Sequence, residues 1–269
     1  MIYYKKEEEI ELLRESAMLV VKTLSHVASI LKPGITGIDI DRQAEELILD
    51  HDAKPGFKNY KGFPATLCIS VNEGVVHGIP TDRPFEDGDI VSVDCGVFKD
   101  DFFGDSAYTF AIGNVEDATM ELLSVTYTSL YKAIDQAIAG NRIGDIGFAV
   151  QNYCEKQHKY GVVRELVGHG IGRNLHEAPE VPNFGSRGRG IKLKEGLVLA
   201  IEPMVNLGRK EVRAAKDGWT IITKDKSPSA HYENMVAVKK EKADILTDYS
   251  LVDQAVKNNP EIREISIKN

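Results

Sequence analysis

Two aspartates, Asp94 and Asp105, flank the charged segment DCGVFKDDFFGD of this 269-residue chain. An apolar run at 89–93 precedes the first aspartate, and the extended run SAYTFAI follows the second. This pattern predicts a β-hairpin whose turn spans 99–104, with the two carboxylates at its facing ends. Carboxylate oxygens are hard ligands that suit a divalent cation. Taken alone, the pair is explained equally well by a solvated acidic turn.

Three further side chains of ligand type occupy similar settings downstream. His169 lies between glycines in GHGIGRNLHE, Glu202 ends an apolar run and precedes a proline, and Glu233 starts a predicted strand. A glycine-flanked turn can bring an imidazole to a metal, and a carboxylate at a strand end is costly unless it is paired or metal-bound. Each residue alone has an ordinary structural explanation. Together with the two aspartates they favour a single metal site.

The charges of these five side chains favour two metal ions over one. Four carboxylates in one cleft repel each other unless cations or protons neutralise them, and two divalent ions balance four negative charges. Two ions roughly 3.5–4 Å apart can share a hydroxide and hold it ready to attack a carbonyl. A mostly oxygen ligand set with one histidine disfavours a structural zinc site. Mn, Fe(II), Co and Zn all remain open.

Helices and strands must position these side chains. Hydrophobic periodicity predicts four helices, at 7–31, 38–51, 117–139 and 144–160. Thr36 and Asp39 form a capping box at the start of the second helix. A strand is predicted at 66–71, and from residue 197 onward the chain consists mostly of strands, one of which starts at Trp219.

The sequence contains an internal repeat. Residues 84–97 match 192–205 at an offset of 108, which sets Asp94 over Glu202. The joints between the paired helices match at an offset of 106, pairing Gly34 with Gly140, Asp39 with Asp145 and Ile40 with Ile146. Two blocks in the same order at nearly the same offset predict two related halves with a site between them.

The repeat sets the expected domain organisation. We expect one catalytic domain at 1–248, with halves at about 7–112 and 113–240, and a short tail at 249–269. The tail is polar and predicts either a short helix or a loose end. No function is assigned to it.

Composition argues against several classes of protein. A formal net charge of −8 does not provide the basic face that nucleic-acid binding requires. No apolar run approaches the length of a membrane span, and the N-terminus MIYYKKEEEI has no apolar signal-peptide core. Cys68, Cys95 and Cys154 are odd in number and widely spaced, which indicates free thiols in a reducing cytoplasm.

The motifs of the chain resemble, in order, those of type I methionine aminopeptidases, over about residues 7–240. They are HGIP (77–80), DCGVFKDDFFGD (94–105), GHGIGRNLHE (168–177), IEPM (201–204), DGWT (217–220) and YEN (232–234). The resemblance implies an α+β pita-bread (creatinase/aminopeptidase) fold, in which two pseudo-symmetric halves enclose a curved antiparallel sheet and carry helices outside. The insertion of type II enzymes and an N-terminal zinc-binding extension are not found in the sequence, which fits a bacterial-type member.

The resemblance also implies roles for individual residues. The implied dinuclear metal centre is held by Asp94, Asp105, His169, Glu202 and Glu233. In it Asp105 and Glu233 bridge the ions, and Glu202 acts as a base toward the metal-bound water. His77 and His176 contact the substrate and stabilise the tetrahedral intermediate. The implied activity is removal of the initiator methionine from nascent proteins whose second residue is small, by a cytoplasmic and monomeric enzyme.

The pocket for the methionine side chain can be argued partly from chemistry. It must be apolar, closed at its end and tolerant of a thioether, and aromatic rings favour sulfur at their edges. The candidates lie in or beside motifs that reach the cleft: Tyr60, Phe63, Cys68, Leu175 and Trp219. Packing in the core is a rival explanation for Cys68 and for Trp219.

Four positions depart from the family pattern. Asn234 follows the last ligand where many relatives have His, and Leu175 stands where many bacterial members have an aromatic residue. Lys61 and Phe63 stand where relatives often have His and Tyr. These positions surround the methionine pocket and the outer shell, so they bear on fine specificity and metal preference and not on the reaction.

Two rival functions remain open, and so does a contact between one basic loop and ribosomal RNA. A peptidase that cleaves next to proline would share the fold, but such relatives carry a large extra N-terminal domain for which this chain has no room. A non-catalytic binding member would have lost metal ligands, whereas this chain keeps all five. The basic loop SRGRGIKLK (186–194) could contact ribosomal RNA near the exit tunnel, although a solvated loop explains it more simply.

Overall fold

A computed structural model of the chain describes residues 1–267, so the last two residues of the predicted tail lie outside it. Within this range the α-helices are α1 Glu7–Ile30, α2 Gly37–Leu49, α3 Asp117–Ile134, α4 Ile143–Gln151 and α5 Ser250–Asn258. A π-helical segment, Asn152–Gln157, continues α4, and Tyr60–Gly62 form a 3-10 turn. The strands are β1 Lys54–Pro55, β2 Leu67–Val71, β3 Gly74–Val76, β4 Ile90–Lys99, β5 Phe102–Ala111, β6 Gly161–Val162, β7 Gly168–Gly170, β8 Glu177–Val181, β9 Val198–Ile201, β10 Met204–Asn206, β11 Val212–Ala214, β12 Ile221–Thr223, β13 Ser229–His231, β14 Asn234–Ala237 and β15 Asp244–Ile245.

The predicted hairpin forms, but its turn is shorter than expected. β4 and β5 pair antiparallel along their full lengths. Only Asp100 and Asp101 remain for the turn, with φ angles of 49° and 66°. Two left-handed residues in succession are typical of hairpin turns whose twist matches that of the strands. The predicted turn at 99–104 is therefore wrong, and the second strand already includes Gly104.

The register of the hairpin puts the two aspartates on one face of the sheet. Asp94 lies opposite Ala107 and Asp105 lies opposite Gly96, so the aspartates are diagonal neighbours across the strand pair. β2 pairs with the other edge of β4 and sets Cys68 opposite Asp94. The carboxylates therefore meet across the hairpin as predicted, but from within the strands and not from their ends.

A five-stranded antiparallel sheet in the order β15-β14-β9-β7-β8 carries the other three candidate ligands. His169 lies in β7, Glu202 directly follows β9, and Glu233 directly precedes β14. An antiparallel bridge between Ala107 and Glu233 connects this sheet to the hairpin. Strands from distant parts of the chain thus bring the candidate ligands to one place.

Two smaller sheets complete the strand structure, in the orders β13-β10-β6 and β11-β12-β3. β12 begins at Ile221. Trp219 was expected to start this strand, but it lies two residues before β12. It belongs instead to the tight turn that leads into the strand. In this turn the carboxylate of Asp217 accepts hydrogen bonds from the backbone N–H groups of Trp219 and Thr220, each at 2.9 Å.

The helices cover the outside of the sheets. α1 packs one side against β4 and β5 and another against α5. The predicted capping box of α2 is present, since the backbone N–H of Asp39 donates to Thr36 Oγ1 at 3.1 Å. No helix within residues 1–267 combines the length and the apolar character needed to cross a membrane.

α3 ends earlier than the sequence predicted. The expected helix ran to 139, whereas α3 ends at Ile134. The backbone N–H of Ala139 donates to the carbonyl of Lys239 at 2.9 Å instead of to a helical partner. In the turn that follows, the side-chain amide of Asn141 donates a hydrogen bond to the carbonyl of Gln136 at 3.0 Å. A backbone contact with the distant residue Lys239, just beyond β14, therefore replaces the last helical turn.

Backbone contacts recur at the offsets of the sequence repeat. The N–H of Gly34 donates to the carbonyl of Phe85 at 2.8 Å, and the N–H of Gly140 donates to the carbonyl of Leu193 at 3.0 Å. Both glycines have left-handed φ angles, of 89° and 103°. Isolated bridges join Thr36 to Pro84 and Arg142 to Lys192 in the same spacing. These contacts agree with the repeat, and the division into halves at 7–112 and 113–240 remains a prediction.

Candidate metal centre

One cavity of about 170 Å³ contains every site residue that the sequence singled out. Its lining consists of Phe57, Tyr60, Lys61, Phe63, Cys68, His77, Asp94, Asp105, His169, Leu175, His176, Glu202, Trp219 and Glu233. We call this cavity the cleft. The candidate ligands form one side of it, and aromatic and apolar side chains form another.

Three of the candidate ligands already stand at metal-binding distances. One ligand atom from each of Asp105, His169 and Glu233 lies within 4.8 Å of the other two. The Nε2 atom of His169 is 3.8 Å from Asp105 Oδ2 and 3.6 Å from Glu202 Oε1. These separations are too long for direct hydrogen bonds, but they leave room for an ion between the atoms.

The strand around His169 fixes the orientation of its ring. His169 Nδ1 donates to the carbonyl of Gly170 at 3.0 Å, which leaves the Nε2 lone pair free for a metal. A Cβ at Gly168 would lie 2.3 Å from the carbonyl of Ala200, and one at Gly170 would lie 2.5 Å from the carbonyl of Ala178. The glycines therefore permit close strand packing. The expected glycine turn at this position is wrong, because His169 lies in β7.

Burial raises the pKa values of all four carboxyl groups, and repulsion from neighbouring carboxylates adds to this for Asp94, Asp105 and Glu233. Burial, followed by the charge of Asp94, raises the pKa of Asp105 well above its ordinary value, and burial and Asp105 do the same to Glu233. Burial is also the main cause that raises the pKa of Asp94 and of Glu202 to about 7. Without cations, some of these groups must hold protons near neutral pH.

The hydrogen bonding of the cluster is incomplete. Asp94 Oδ1, Asp105 Oδ1 and Glu233 Oε1 are buried and have no hydrogen-bond partner among residues 1–267. Such atoms are rare in folded proteins and call for an ion, a proton or a water. Four carboxylates and one imidazole with free acceptor atoms therefore fit divalent cations well.

One residue of the site was missed by sequence reasoning. His231 is buried, and its Nε2 lies 3.6 Å from Glu202 Oε2, with no hydrogen-bond partner in the described part of the chain. Glu202 thus lies between two imidazoles, since His169 faces its other oxygen. Residues two apart in an extended chain share a face, so the position of His231 two before Glu233 was the available signal.

The aromatic side of the cleft is fully assembled. The hydroxyl of Tyr60 lies 2.9 Å from His176 Nδ1, and the two rings stack with centroids 5.4 Å apart. The Phe63 and Trp219 rings meet edge to face, with centroids 5.3 Å apart. We call Tyr60, Phe63, Leu175 and Trp219 the aromatic wall. Edge-to-face packing needs no further partner to be stable.

His176 connects the wall to the candidate ligands, and His77 lines the same cleft. The His176 ring lies 4.3 Å from that of His169, although part of its surface faces solvent. His77 has a left-handed φ of 57°, an uncommon conformation for a residue other than glycine. Burial lowers the pKa of His77 to about 4, and burial beside His169 also lowers the pKa of His176. Both rings are therefore neutral near pH 7.

Of the four positions that depart from the family pattern, three line the cleft and one lies behind it. Lys61 and Phe63 line the cleft, and so does Leu175. Asn234 is buried outside the cleft lining, where its Oδ1 accepts a hydrogen bond from Thr247 Oγ1 at 2.8 Å. The change next to the last candidate ligand therefore affects packing behind the site.

Known proteins resemble most of the chain. The model of metallopeptidase family M24 matches residues 11–240. A methionine aminopeptidase of Clostridium perfringens is 49% identical over 247 residues, covering 92% of this chain and 99% of the relative. Methionine aminopeptidase 1 of Bacillus subtilis is 44% identical over 247 residues, with the same two coverages of 92% and 99%.

Solved structures agree with the sequence comparison. The crystal structure of methionine aminopeptidase from Rickettsia prowazekii matches with a TM-score of 0.90 at 40% identity, covering 92% of this chain and all of that one. The prolidase of Pyrococcus horikoshii matches with a TM-score of 0.73 at 22% identity, covering 91% of this chain and 63% of that one, which shows a shared fold alone. The expected α+β pita-bread fold is confirmed. The chain belongs to metallopeptidase family M24 and, within it, to the methionine aminopeptidases.

Proposed function

We propose that the protein removes the N-terminal methionine from nascent polypeptides with a small second residue, using two divalent ions bound in the cleft. The observation that carries the proposal is the meeting of four carboxylates and His169, several with unpartnered atoms, beside an aromatic wall. One side of the cleft suits cations and the other suits an apolar side chain. A metal-dependent peptidase acting on methionine needs both.

Each ligand has an assigned place in this proposal. Asp105 and Glu233 would act as the bridging ligands, as the resemblance implies; both carboxylates approach His169, and Asp105 raises the pKa of Glu233. Asp94, His169 and Glu202 would complete the ligand set around the two ions. When bound, such ions supply Lewis acidity, which lowers the pKa of water and polarises a peptide carbonyl. Mn, Fe(II), Co and Zn are all compatible with this ligand set.

The protein groups then handle protons and developing charge. Glu202 accepts a proton from the attacking water and returns it to the leaving amine, the base role that the resemblance implies for it. The neutral rings of His77 and His176 donate hydrogen bonds to the peptide at the scissile bond. The bond to Tyr60 orients His176 for this task. These donors stabilise charge that grows on the carbonyl oxygen.

Specificity comes from the aromatic wall. The methionine side chain packs among Tyr60, Phe63, Leu175 and Trp219, and Cys68 provides a small, polarizable surface beside them. Burial and the neighbouring Asp94 raise the pKa of the Cys68 thiol, so this surface stays neutral. A cleft of this size admits one long apolar side chain and disfavours a bulky second residue.

The cellular setting follows from the same proposal. The enzyme acts as a cytoplasmic monomer on nascent chains, and its buried cysteines are free thiols. The basic loop at 186–194 could bring it near ribosomal RNA at the exit tunnel. Arg142 stabilises this loop by donating to the carbonyl of Gly190 at 2.8 Å.

Peptide hydrolysis tests the proposal directly. The metal-depleted protein is incubated with Met-Ala-Ser or Ala-Pro-Ala, each with and without Mn(II) or Co(II). We expect release of free methionine only with metal, and no cleavage of Ala-Pro-Ala. When metal is added stepwise to the depleted protein, the rate of methionine release should reach its plateau near two ions per chain. Cleavage of the proline peptide alone, or of neither peptide, would contradict the proposed function.

A further inference from the structure

The C-terminal segment wraps around the catalytic domain beyond the family match, which ends at residue 240. After α5, the side chain of Asn259 donates to the carbonyls of Ala28 and Leu31 at 2.7 and 2.8 Å, at the end of α1. The backbone N–H of Arg263 donates to the carbonyl of Ala111 at 2.9 Å, at the end of β5. The tail is thus the short helix of the two alternatives, followed by a segment docked on the strands.

Tyr249, the residue directly before α5, reaches the candidate metal centre. The fully buried Tyr249 hydroxyl lies 2.5 Å from the carbonyl of Ala107 and 2.6 Å from the carbonyl of Glu233, and it accepts from the Glu233 N–H at 2.9 Å. The carbonyl of Glu233 also accepts from Ser106 Oγ at 2.5 Å. The Tyr249 hydroxyl therefore contacts both β5, at Ala107, and the start of β14, at Glu233. This is the point where the hairpin joins the five-stranded sheet.

Other contacts hold Tyr249 in this position. Its ring packs edge to face on Tyr108, with centroids 5.0 Å apart. One helical turn later, the Asp253 carboxylate accepts hydrogen bonds from Tyr108 at 3.0 Å and from Tyr127 at 3.1 Å. Tyr249 is therefore anchored by α5 on one side and by the strand pair on the other.

We propose that Tyr249 is a positioning residue for metal binding, whose hydroxyl fixes the backbone of Glu233 so that its carboxylate faces the ions. This inference rests on the proposed role of Glu233 as a bridging ligand. A bridging carboxylate must satisfy two ions at once, so a small displacement of its backbone weakens both contacts. The metal site of this protein thus depends on a residue outside the family match.

Two phenylalanine variants of the full-length protein test this. Tyr249→Phe removes the hydroxyl at Glu233 and keeps the ring. Tyr127→Phe removes a hydroxyl of the same buried cluster that bonds Asp253 and not Glu233; Tyr108 still donates to Asp253 at 3.0 Å, so α5 stays docked in this control. We measure the Kd for Mn(II) by calorimetry, the visible spectrum of the Co(II)-loaded protein, and the melting temperature of each variant.

We expect Tyr249→Phe to raise the Kd for Mn(II) by about 10–100-fold, the usual effect of losing a group that orients a ligand, and to change the Co(II) spectrum. Tyr127→Phe should keep the wild-type Kd and spectrum with a similar melting temperature. A wild-type Kd in Tyr249→Phe, or equal weakening in both variants, overturns the inference. Wild-type protein that binds no metal and cleaves no methionine peptide contradicts the proposed function instead.

Hydrogen exchange of the wild-type protein tests the same coupling without a variant, should Tyr249→Phe not fold. Coupling between two sites is reciprocal. If metal binding depends on the position of Tyr249, bound metal must in turn stabilise Tyr249 and the helix α5 that follows it. We expect Mn(II) to slow amide exchange in α5 more than in α2, which contacts none of the candidate ligands. Equal slowing in both helices would show only global stabilisation and would overturn the inference.

Discussion

The two sides of the cleft differ in how completely their polar atoms are satisfied. On the ligand side, Asp94, Asp105 and Glu233 each bury a carboxylate oxygen that has no partner within the described chain. On the aromatic wall, His176 is bonded to Tyr60, and the remaining rings pack against each other. The ligands lie in or next to strands of the two main sheets, whereas the wall side chains lie in loops and turns, so the two sides differ in both their chemistry and their support.

This difference indicates which part of the site is complete by itself. The aromatic wall can form without a ligand, because edge contacts and one hydrogen bond satisfy it. The ligand side stores repulsion that only protons or cations relieve. Changes on the ligand side should therefore alter metal content and stability. Changes on the wall should alter turnover while the metal remains bound.

Asp105→Asn should give the largest effect, because it breaks the ligand side at its centre. An amide carries no charge and bridges two cations poorly, so we expect loss of both ions and of all turnover on Met-Ala-Ser. Elemental analysis of the purified variant decides this. Asp101→Asn in the exposed hairpin turn is the matched control and should keep both metal and activity. Two tightly held equivalents of metal in Asp105→Asn would show that Asp105 is not a bridge.

His176→Ala should separate the two sides most clearly. Losing one donor to a developing oxyanion typically costs about 10²–10³ in rate, so kcat on Met-Ala-Ser should fall by that factor with a smaller change in KM. Metal content should match that of the wild type. If His176 only packs against its neighbours, the melting temperature would fall and kcat per folded molecule would stay near normal. Measuring all three quantities on one preparation distinguishes these outcomes.

Phe63→Leu should alter the wall alone. Contacts between sulfur and an aromatic ring are worth about 0.3–1.5 kcal/mol, so kcat/KM on Met-Ala-Ser should fall by up to about tenfold. A norleucine peptide has the same length without the sulfur and should lose less activity. The preference for methionine over norleucine should therefore shrink in the variant. An equal loss on both peptides would argue that Phe63 only supports Trp219.

The pH dependence of the metal-free protein tests the repulsion on the ligand side. Asp94 and Glu202 have folded-state pKa values of about 7, above those of the unfolded chain, so the stability that protonation supplies is lost as pH rises through about 7. We expect the Tm of chelated protein to fall by several degrees between about pH 6 and about pH 8.

The metal-loaded protein is the control for this titration. Bound cations favour the ionised carboxylates, so its Tm should change less over the same range and should exceed that of the chelated protein. His77 acts in the opposite sense, but its folded pKa of about 4 and its unfolded value place that effect below about pH 6.5. A flat Tm in the chelated protein would argue against a strained ligand cluster.

Sequence patterns located the candidate ligands and the local elements. Asp94 and Asp105 were found from an acidic segment between two extended runs, and the Thr36–Asp39 capping box was found from its spacing. The hairpin turn was misplaced because acidic residues tolerate left-handed turn positions, and the end of α3 was misplaced because the distant carbonyl of Lys239 replaces a helical partner. Tyr249 was missed because it has no local signal of chemistry, and His231 was missed although it lies two residues before Glu233 on the same face of an extended segment.

The sequence by itself determined the types of side chain, their local elements and the charge that requires cations. Capping, periodicity and ligand preference act over a few residues, so they can be read along the chain. The tertiary structure alone decided that Ala107 pairs with Glu233 and that the Tyr249 hydroxyl bonds both of them. Such contacts join residues far apart in the sequence, and they depend on how whole sheets and helices pack. No local pattern encodes that packing.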